Sequence, residues 1–172
     1  MRMACSDWVS RDVMSHILAA LTDANRLAII TSLVTGLRIS DVLWLRSIDL
    51  HKDRFIVIEQ KTLKKRNIRL PIKLRQELLA QAGKVYVFEN RLSPLKPRTR
   101  QAVYKDIKRA ATAFRIKLQV SPHSARKIYA VSEYRKDMNL QRVQKLLNHS
   151  REAVTLIYCL ADELSARRKK IK

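Results

Sequence analysis

The chain has 172 residues, about the size of one ordinary domain, and can bury a core without disulfides or metal. Lysine and arginine number 36 against 15 acidic residues, a formal charge of +21, while 47% of the residues are hydrophobic. This composition excludes a disordered polycation and predicts a folded domain whose main partner is nucleic acid, because phosphates offset such an excess of positive charge.

The start of the chain, MRMACSDWVSRD, carries charges where a signal peptide would be apolar, and no apolar run approaches the roughly 18 residues that span a bilayer. The two cysteines, Cys5 and Cys159, have neither metal-like spacing nor further cysteines to form a disulfide framework. These features favour a reduced cytoplasmic protein over a secreted or membrane protein.

Apolar spacing predicts helices in the first part of the chain. Residues 10–21 form an amphipathic pattern behind Ser10 as N-cap, and residues 22–36 form a second apolar helix that ends at Gly36. A short third helix is predicted over residues 40–45.

Residues 54–71 are β-branched and apolar on both sides of the basic sequence KTLKKR, which predicts an antiparallel β-hairpin with a basic tip. A helix over residues 73–81 and a further strand over residues 84–88 follow. The spacing is helical again over residues 99–114, 124–136, 140–147 and 152–160.

The predicted fold class is therefore mainly α with a small antiparallel β-sheet (α+β). With two glycines and no linker-like stretch, the chain is expected to form a single domain over residues 1–172. Its core is expected over about residues 11–163, followed by a basic tail over residues 164–172.

Several residues have the chemistry that cleavage of a DNA strand requires. Without metal, this reaction needs cations around the non-bridging phosphate oxygens, an acid that protonates the departing 5′-oxygen, and an activated nucleophile. Arginine suits the first task because its planar guanidinium stays charged and binds two oxygens, and lysine or histidine suits the second. The candidates, in chain order, are Arg38, Lys61, His123, Arg126, His149 and Tyr158.

Each candidate also has a simpler explanation. Arg38 could be a surface arginine, Lys61 a solvated turn residue, and His123 and His149 helix caps. Tyr158 lies in the apolar pattern EAVTLIYCL, where core packing is the ordinary role of a tyrosine.

The order and spacing of these residues resemble the catalytic set of the tyrosine recombinases, the phage integrase family. TGLRISDVLWL resembles the first arginine box of that family, EQKT its β-hairpin lysine, and HSAR its His-x-x-Arg box. LLNHS, with Tyr158 nine residues after His149, resembles its last box. The resemblance runs from about residue 11 to 163 and implies a recombinase catalytic domain that cleaves and rejoins DNA.

The resemblance implies a role for each residue. Arg38 and Arg126 would hold the scissile phosphate, and Lys61 would be the general acid for the 5′-hydroxyl. His123 and His149 would bind phosphate oxygens or assist proton transfer, with His123 as the candidate acceptor of the phenol proton.

Tyr158 would be the nucleophile, and its attack would leave a 3′-phosphotyrosyl link that a second strand can rejoin without ATP, metal or another cofactor. A phenol has a pKa near 10, so its attack needs a positive, desolvated pocket.

Asp41 resembles an acidic residue that holds Arg38 by charge pairing; the alternative is a solvent-facing carboxylate at a helix N-terminus. The residues expected to position DNA, each of which could also be solvated surface charge, are Lys64, Lys65, Arg66, Arg98 and Arg100.

The implied partner is double-stranded DNA, with self-association into a tetramer on DNA, no membrane, and a cytoplasmic location in a prokaryote or with a phage or plasmid gene. Two other functions stay open: a non-enzymatic DNA-binding relative that occupies sites or regulates a full-length integrase, and a basic RNA-binding or ribosome-associated protein.

Most integrases carry a further N-terminal helical domain, which we expect to be absent here. Leu63, Lys127 and Asn148 stand where many relatives have glycine, histidine and glycine.

Overall fold

The structure, a computed structural model, describes residues 6–147. Four of the sequence predictions fall outside these residues: the helix over residues 152–160, the basic tail over residues 164–172, His149 and Tyr158.

The first helices begin and end where their caps indicate. Ser10 caps helix α1 (Arg11–Ala20), because its Oγ accepts a hydrogen bond from the Val13 N–H at 3.3 Å. Helix α2 (Asp23–Thr35) ends at Gly36, whose φ of 66° is the left-handed conformation that glycine adopts at little cost. A Cβ at Gly36 would also collide with the ring of Tyr129. These contacts confirm the predicted end of α2.

The remaining helices and the two hairpin strands follow the predicted order, with one unpredicted 3₁₀ turn before the hairpin. The two strands pair antiparallel, with Phe55 opposite Ile68 and Val57 opposite Arg66, and form the only sheet in the described part of the chain. The elements after α2 are α3 (Ile39–Leu43), a 3₁₀ turn (Ser47–His51), β1 (Arg54–Ile58), β2 (Lys65–Arg69), α4 (Ile72–Gln81), α5 (Arg100–Ala113), α6 (Pro122–Asp137) and α7 (Leu140–Leu147). This confirms the mainly α fold class with a small antiparallel sheet.

The predicted strand over residues 84–88 is wrong. This segment makes one isolated bridge, between Arg46 and Tyr86, and is otherwise irregular. Tyr86, Val87 and Phe88 are all buried in succession, whereas a strand would turn alternate side chains to opposite faces. The backbone here bonds to the chain after α3 instead, since the Val87 N–H donates to the Leu45 carbonyl at 2.9 Å.

Helix α2 lies at the centre and contacts α1, α3, α4 and α6. The hairpin adds its inner face to the same core through Phe55 and Ile68, each 4% exposed. This arrangement brings the C-terminal end of α2, the short helix α3, the hairpin turn and α6 together on one side of the core. No helix within residues 6–147 is long and apolar enough to cross a membrane.

Candidate functional site

Arg38 stands at the N-cap of α3, two residues after the glycine that ends α2. It is only 6% exposed, so the alternative of a surface arginine is wrong. Its Nη1 donates to Glu59 Oε2 at 2.8 Å, in an ion pair of two buried side chains. The ion pair with Glu59, which follows the first hairpin strand, therefore holds the guanidinium of Arg38 in place.

Glu59 was not among the residues predicted from the sequence. It directly follows β1, has no exposed surface, and accepts hydrogen bonds from Arg38 and, at 2.8 Å, from the Thr62 hydroxyl. Its other oxygen lies 3.4 Å from Arg66 Nη1. The sequence signal for Glu59 is the alternation of side chains in β2, because Arg66 must share the inner face with Ile68 and an arginine on that face needs a carboxylate nearby.

Lys61 is exposed in the turn between β1 and β2, and the structure fastens the residue on each side of it. The Gln60 N–H donates to Asp41 Oδ1 at 3.0 Å, and the Thr62 hydroxyl donates to Glu59. Lys61 thus lies between two fixed neighbours, two residues after Glu59 of the buried Arg38 and Glu59 pair.

Asp41 is 2% exposed, so the alternative of a solvent-facing carboxylate is wrong. The hydrogen bond that the structure gives it is the one from Gln60, which joins α3 to the hairpin. Its Oδ2 has no hydrogen-bond partner among the described residues. Burial raises the pKa of Asp41, and the charge of Glu59 acts in the same direction, against the Gln60 hydrogen bond and the charges of Arg38 and Arg126.

Arg126 joins three parts of the fold from the first turns of α6. It is 4% exposed, and its guanidinium donates to the Gly36 carbonyl at the end of α2 and to the Leu147 carbonyl at 2.7 Å. Gly36 precedes Arg38 by two residues, so the two arginines lie on the same side of the core. Leu147 ends α7, immediately before the sequence NHS that contains His149.

His123 is exposed in the first turn of α6. The cap of this helix is Ser121, whose hydroxyl accepts a hydrogen bond from the His123 N–H at 3.2 Å, so the capping role proposed as an alternative for His123 belongs to Ser121. The histidine lines a groove of 390 Å³ together with Ile39, Arg100 and Lys108. This groove joins the start of α6 to the start of α5 and carries basic side chains.

The five residues predicted to position DNA divide into two groups. Lys64, Lys65 and Arg100 are exposed. Arg66 instead donates to the Thr35 carbonyl at 2.7 Å and faces Glu59, and Arg98 Nε donates to Asn25 Oδ1 at 2.7 Å. The last two side chains therefore have partners within the fold.

Charge in this cluster is unbalanced toward positive. In the described part of the chain, Arg38, Arg66 and Arg126 surround the carboxyl groups of Asp41 and Glu59. Burial acts to raise the pKa of Glu59, but hydrogen bonds from Thr62 and Arg38, together with the charges of Arg38 and Arg126, outweigh it, so the pKa of Glu59 is lowered and the group is ionised. An anion such as a phosphodiester would balance the remaining positive charge.

Within residues 6–147, no group of three or more histidine, cysteine, aspartate or glutamate side chains is arranged to hold a metal ion.

A sequence model of the Phage integrase family matches residues 7–164, which is most of the chain. The chain belongs to the phage integrase family. Its similarity to a tyrosine recombinase of Thermosipho africanus is 32% identity over 167 residues, which cover 91% of this chain and 58% of the relative. A probable integrase/recombinase of Bacillus subtilis, YoeC, is 31% identical over 138 residues, covering 77% of this chain and 75% of the relative.

Solved structures of integrases and recombinases share the fold. The crystal structure of XerA recombinase matches with a TM-score of 0.68 at 20% identity, covering 98% of this chain and 66% of that protein. A lambda integrase dimer bound to a COC′ core site matches with a TM-score of 0.72 at 20% identity, covering 91% of this chain and 49% of that protein. This integrase-family chain thus spans about half to two thirds of the length of these three relatives, the Thermosipho recombinase, XerA and lambda integrase.

Proposed function

We propose that this chain is the catalytic domain of a site-specific DNA recombinase, or integrase, which cleaves and rejoins strands of double-stranded DNA through a 3′-phosphotyrosyl intermediate. The observation that carries the proposal is the buried cluster in which Arg38 and Arg126 lie beside a hairpin turn that holds Lys61. Two preorganised guanidinium groups next to an exposed ammonium group fit a phosphate and its leaving oxygen.

In the proposed reaction, Arg38 and Arg126 bind the non-bridging oxygens of the scissile phosphate and stabilise the charge that builds up during attack. The Tyr158 hydroxyl oxygen attacks phosphorus, the bond to the 5′-oxygen breaks, and Lys61 donates a proton to that oxygen. His123 accepts the phenol proton, and His149 binds a phosphate oxygen. The phosphotyrosyl bond conserves the energy of the broken bond, so the reverse attack by a 5′-hydroxyl rejoins the strand.

The exposed basic residues next to the cluster position the DNA backbone in this proposal. Lys64 and Lys65 extend from the hairpin, and Arg100 extends from the first turn of α5 into the groove that contains His123. Arg66 and Arg98 contribute charge from within the fold, where Glu59 and Asn25 fix them. Contacts of this kind set the register of the duplex and carry little sequence information.

We propose self-association on DNA and reaction in the bacterial cytoplasm. Lambda integrase has been solved as a tetramer bound to a Holliday junction, and that structure shares the present fold with a TM-score of 0.68 at 21% identity. The curated relatives of this chain include proteins of Thermosipho africanus and Bacillus subtilis. Recombination joins strands from two duplexes, so four copies of one nucleophile account for four strand cleavages.

The experiment that tests the proposal is metal-free incubation with nicked duplexes that include candidate native sites, followed by a denaturing gel. The expected result is a covalent protein–DNA adduct that disappears in Tyr158→Phe. Tyr134→Phe is the matched control, because Tyr134 packs in a separate apolar cluster with Val143 and Leu147, and its adduct should form at the normal rate. An adduct that persists in Tyr158→Phe, or DNA binding without any adduct on every substrate, would reject the proposal and favour a non-enzymatic DNA-binding relative.

A further inference from the structure

We propose that Glu59 is a positioning residue that holds the phosphate-binding Arg38 and the hairpin lysine in one rigid unit. The inference rests on the proposed function, because it assigns to Glu59 the task of keeping two parts of that active site in register. Glu59 has no exposed surface and lies at the junction of two proposed catalytic elements.

The geometry gives Glu59 one partner in each element. Its Oε2 accepts from Arg38 Nη1 and from Thr62 Oγ1, both at 2.8 Å, so one oxygen links the start of α3 to the residue after Lys61. Its backbone continues the link, because the Glu59 N–H donates to the Lys64 carbonyl and the Leu63 N–H donates to the Glu59 carbonyl. A displacement of Glu59 would therefore move Arg38 and the turn relative to each other.

The second oxygen of Glu59 faces Arg66 on the inner side of β2. Arg66 is opposite Val57 in the strand pair and reaches the Thr35 carbonyl at the end of α2. Removing the carboxylate between the buried Arg38 and the partly buried Arg66 leaves their charges uncompensated, which costs far more than the loss of an exposed ion pair. Glu59 is therefore required for the buried position of Arg38, and the bond that it accepts orients a guanidinium which has several further donors.

Lys61 depends on the same contact from the other side. Its two neighbours are fixed by different acids, Gln60 by Asp41 and Thr62 by Glu59. If Glu59 loses its charge, its hydrogen bonds with Thr62 and Arg38 weaken together, while the hydrogen bond from Gln60 to Asp41 stays. Misplacement of a catalytic group by about 1 Å can lower a rate by up to about 100-fold.

The test compares Glu59→Gln with Asp106→Asn in the full chain. Asp106 is a buried carboxylate, 8% exposed, that is bonded to Thr22, Asn25 and Arg109 away from Arg38 and Lys61. We expect the rate of adduct formation at saturating DNA to fall about 10- to 100-fold in Glu59→Gln. In Asp106→Asn the unfolding temperature should fall, whereas the rate at saturating DNA should change by less than about twofold. Equal effects on rate in the two variants would reduce Glu59 to a structural role.

A substrate with a neutral methylphosphonate at the scissile position separates positioning from general damage. This substrate lacks the phosphate charge that Arg38 is proposed to neutralise, so misplacement of Arg38 should matter less. The defect of Glu59→Gln is expected to shrink several-fold on the neutral substrate relative to the normal one. An equal defect on both substrates would overturn the link through Arg38.

A further variant and a direct measurement keep the inference testable if Glu59→Gln fails to fold or if the unaltered chain forms no adduct. Glu59→Asp retains the charge but is one methylene shorter, so it should fold and still react more slowly; an unchanged rate would overturn the proposal. The nuclear magnetic resonance signal of the Arg38 Nη1 hydrogens, which donate to Glu59, should exchange slowly with solvent in the unaltered chain and in Asp106→Asn, and rapidly in both Glu59 variants. An unaltered chain without any adduct rejects the proposed function alone, whereas slow Arg38 exchange in Glu59→Asp rejects the role of Glu59 alone.

Discussion

Two buried carboxylates, Glu59 and Asp106, organise different sides of this protein. Asp106 lies on α5 and accepts hydrogen bonds from the Thr22 N–H at 2.9 Å, the Thr22 hydroxyl at 3.0 Å and Asn25 Nδ2 at 2.7 Å. Arg109, which is 58% exposed, adds an ion pair from the same helix. Glu59 lies between Arg38 and Arg66, two cations whose side chains are 7% and 10% exposed.

The pKa of each of the two acids is lowered, but the contacts that lower it differ. Burial opposes ionisation at each site. Hydrogen bonds, mostly from neutral groups at the start of α2, outweigh it at Asp106, whereas at Glu59 the charges of Arg38 and Arg126 act together with the hydrogen bonds. Asp106 therefore joins α5 to α2. Glu59 instead holds one buried and one partly buried arginine near an exposed lysine, an arrangement that costs desolvation and is typical of a site that binds an anion.

The largest expected effect comes from removing one arginine on each side. Arg38→Ala should lower the rate of adduct formation at saturating DNA by about 100- to 1,000-fold, because one preorganised donor to the developing charge is lost. Arg109→Ala removes the exposed partner of Asp106 and should leave that rate within about twofold. Single-turnover cleavage of a nicked duplex measures both. Comparable losses in the two variants would mean that general positive charge, rather than the buried cluster, supports cleavage.

Acidification should lower the free energy of unfolding by about 2 kcal/mol through protonation of Asp106. The pKa of Asp106 is lowered from 3.8 to about 2, so its stabilising contribution is complete well above pH 3.8 and is lost as the pH falls through about 2. Urea unfolding of the unaltered chain and Asp106→Asn should differ most near pH 6, and about half of the pH-dependent part of the difference should be gone at pH 3. A difference that is constant from pH 6 to pH 3 would show that the charge of Asp106 contributes nothing.

Paired threonine substitutions distinguish the two carboxylates at a smaller scale. Thr62→Val and Thr22→Val each remove one hydroxyl that donates to a buried carboxylate, at 2.8 Å and 3.0 Å, and each should lower the free energy of unfolding by about 1 kcal/mol. Only Thr62→Val should also slow cleavage, by a few-fold, because Thr62 adjoins Lys61. A slowing of similar size in Thr22→Val would count against a special role of the hairpin anchor.

The fold could be predicted from the sequence where the determining interactions are local. Ser10 and Gly36 mark helix ends through caps that involve residues three or four positions away, and those ends agree with the structure. The segment around Val87 was mistaken for a strand because its apolar residues suggest a sheet, whereas its backbone partner, Leu45, lies more than forty positions earlier in the sequence. Pairings at that distance leave no periodic signal.

For the candidate site, the sequence points to individual basic residues, whose roles stay predictions. Arg38 and Arg126 were selected by residue type, order and spacing, and the structure buries both. Glu59 was missed because an acid after a strand reads as polar surface, and its burial depends on the register that turns Arg66 inward. Arg66 was assigned to the hairpin tip for the same reason, since a count of charges ignores which face of the strand each one occupies.

The smallest expected effect concerns Leu63, which is 76% exposed and has a φ of 56° in the hairpin turn. A leucine in the left-handed conformation costs about 1 kcal/mol, and glycine removes this strain while making the unfolded chain more flexible, so Leu63→Gly should raise the free energy of unfolding by about 0.5 kcal/mol. Leu92→Gly, at a position that is 96% exposed without a positive φ, should instead be neutral or destabilising.

Cleavage by Leu63→Gly then tests how the turn is held. Bonds from Gln60 to Asp41 and from Thr62 to Glu59 fix Lys61 from both sides, and neither bond involves the Leu63 side chain. The rate at saturating DNA should therefore stay within about twofold, although the turn gains a flexible residue. A tenfold fall would mean that the stiffness of the turn, rather than its hydrogen bonds to Asp41 and Glu59, places Lys61. The difference in catalytic importance between Glu59 and Asp106 would then come from backbone strain in the hairpin turn instead of from the charge of Glu59.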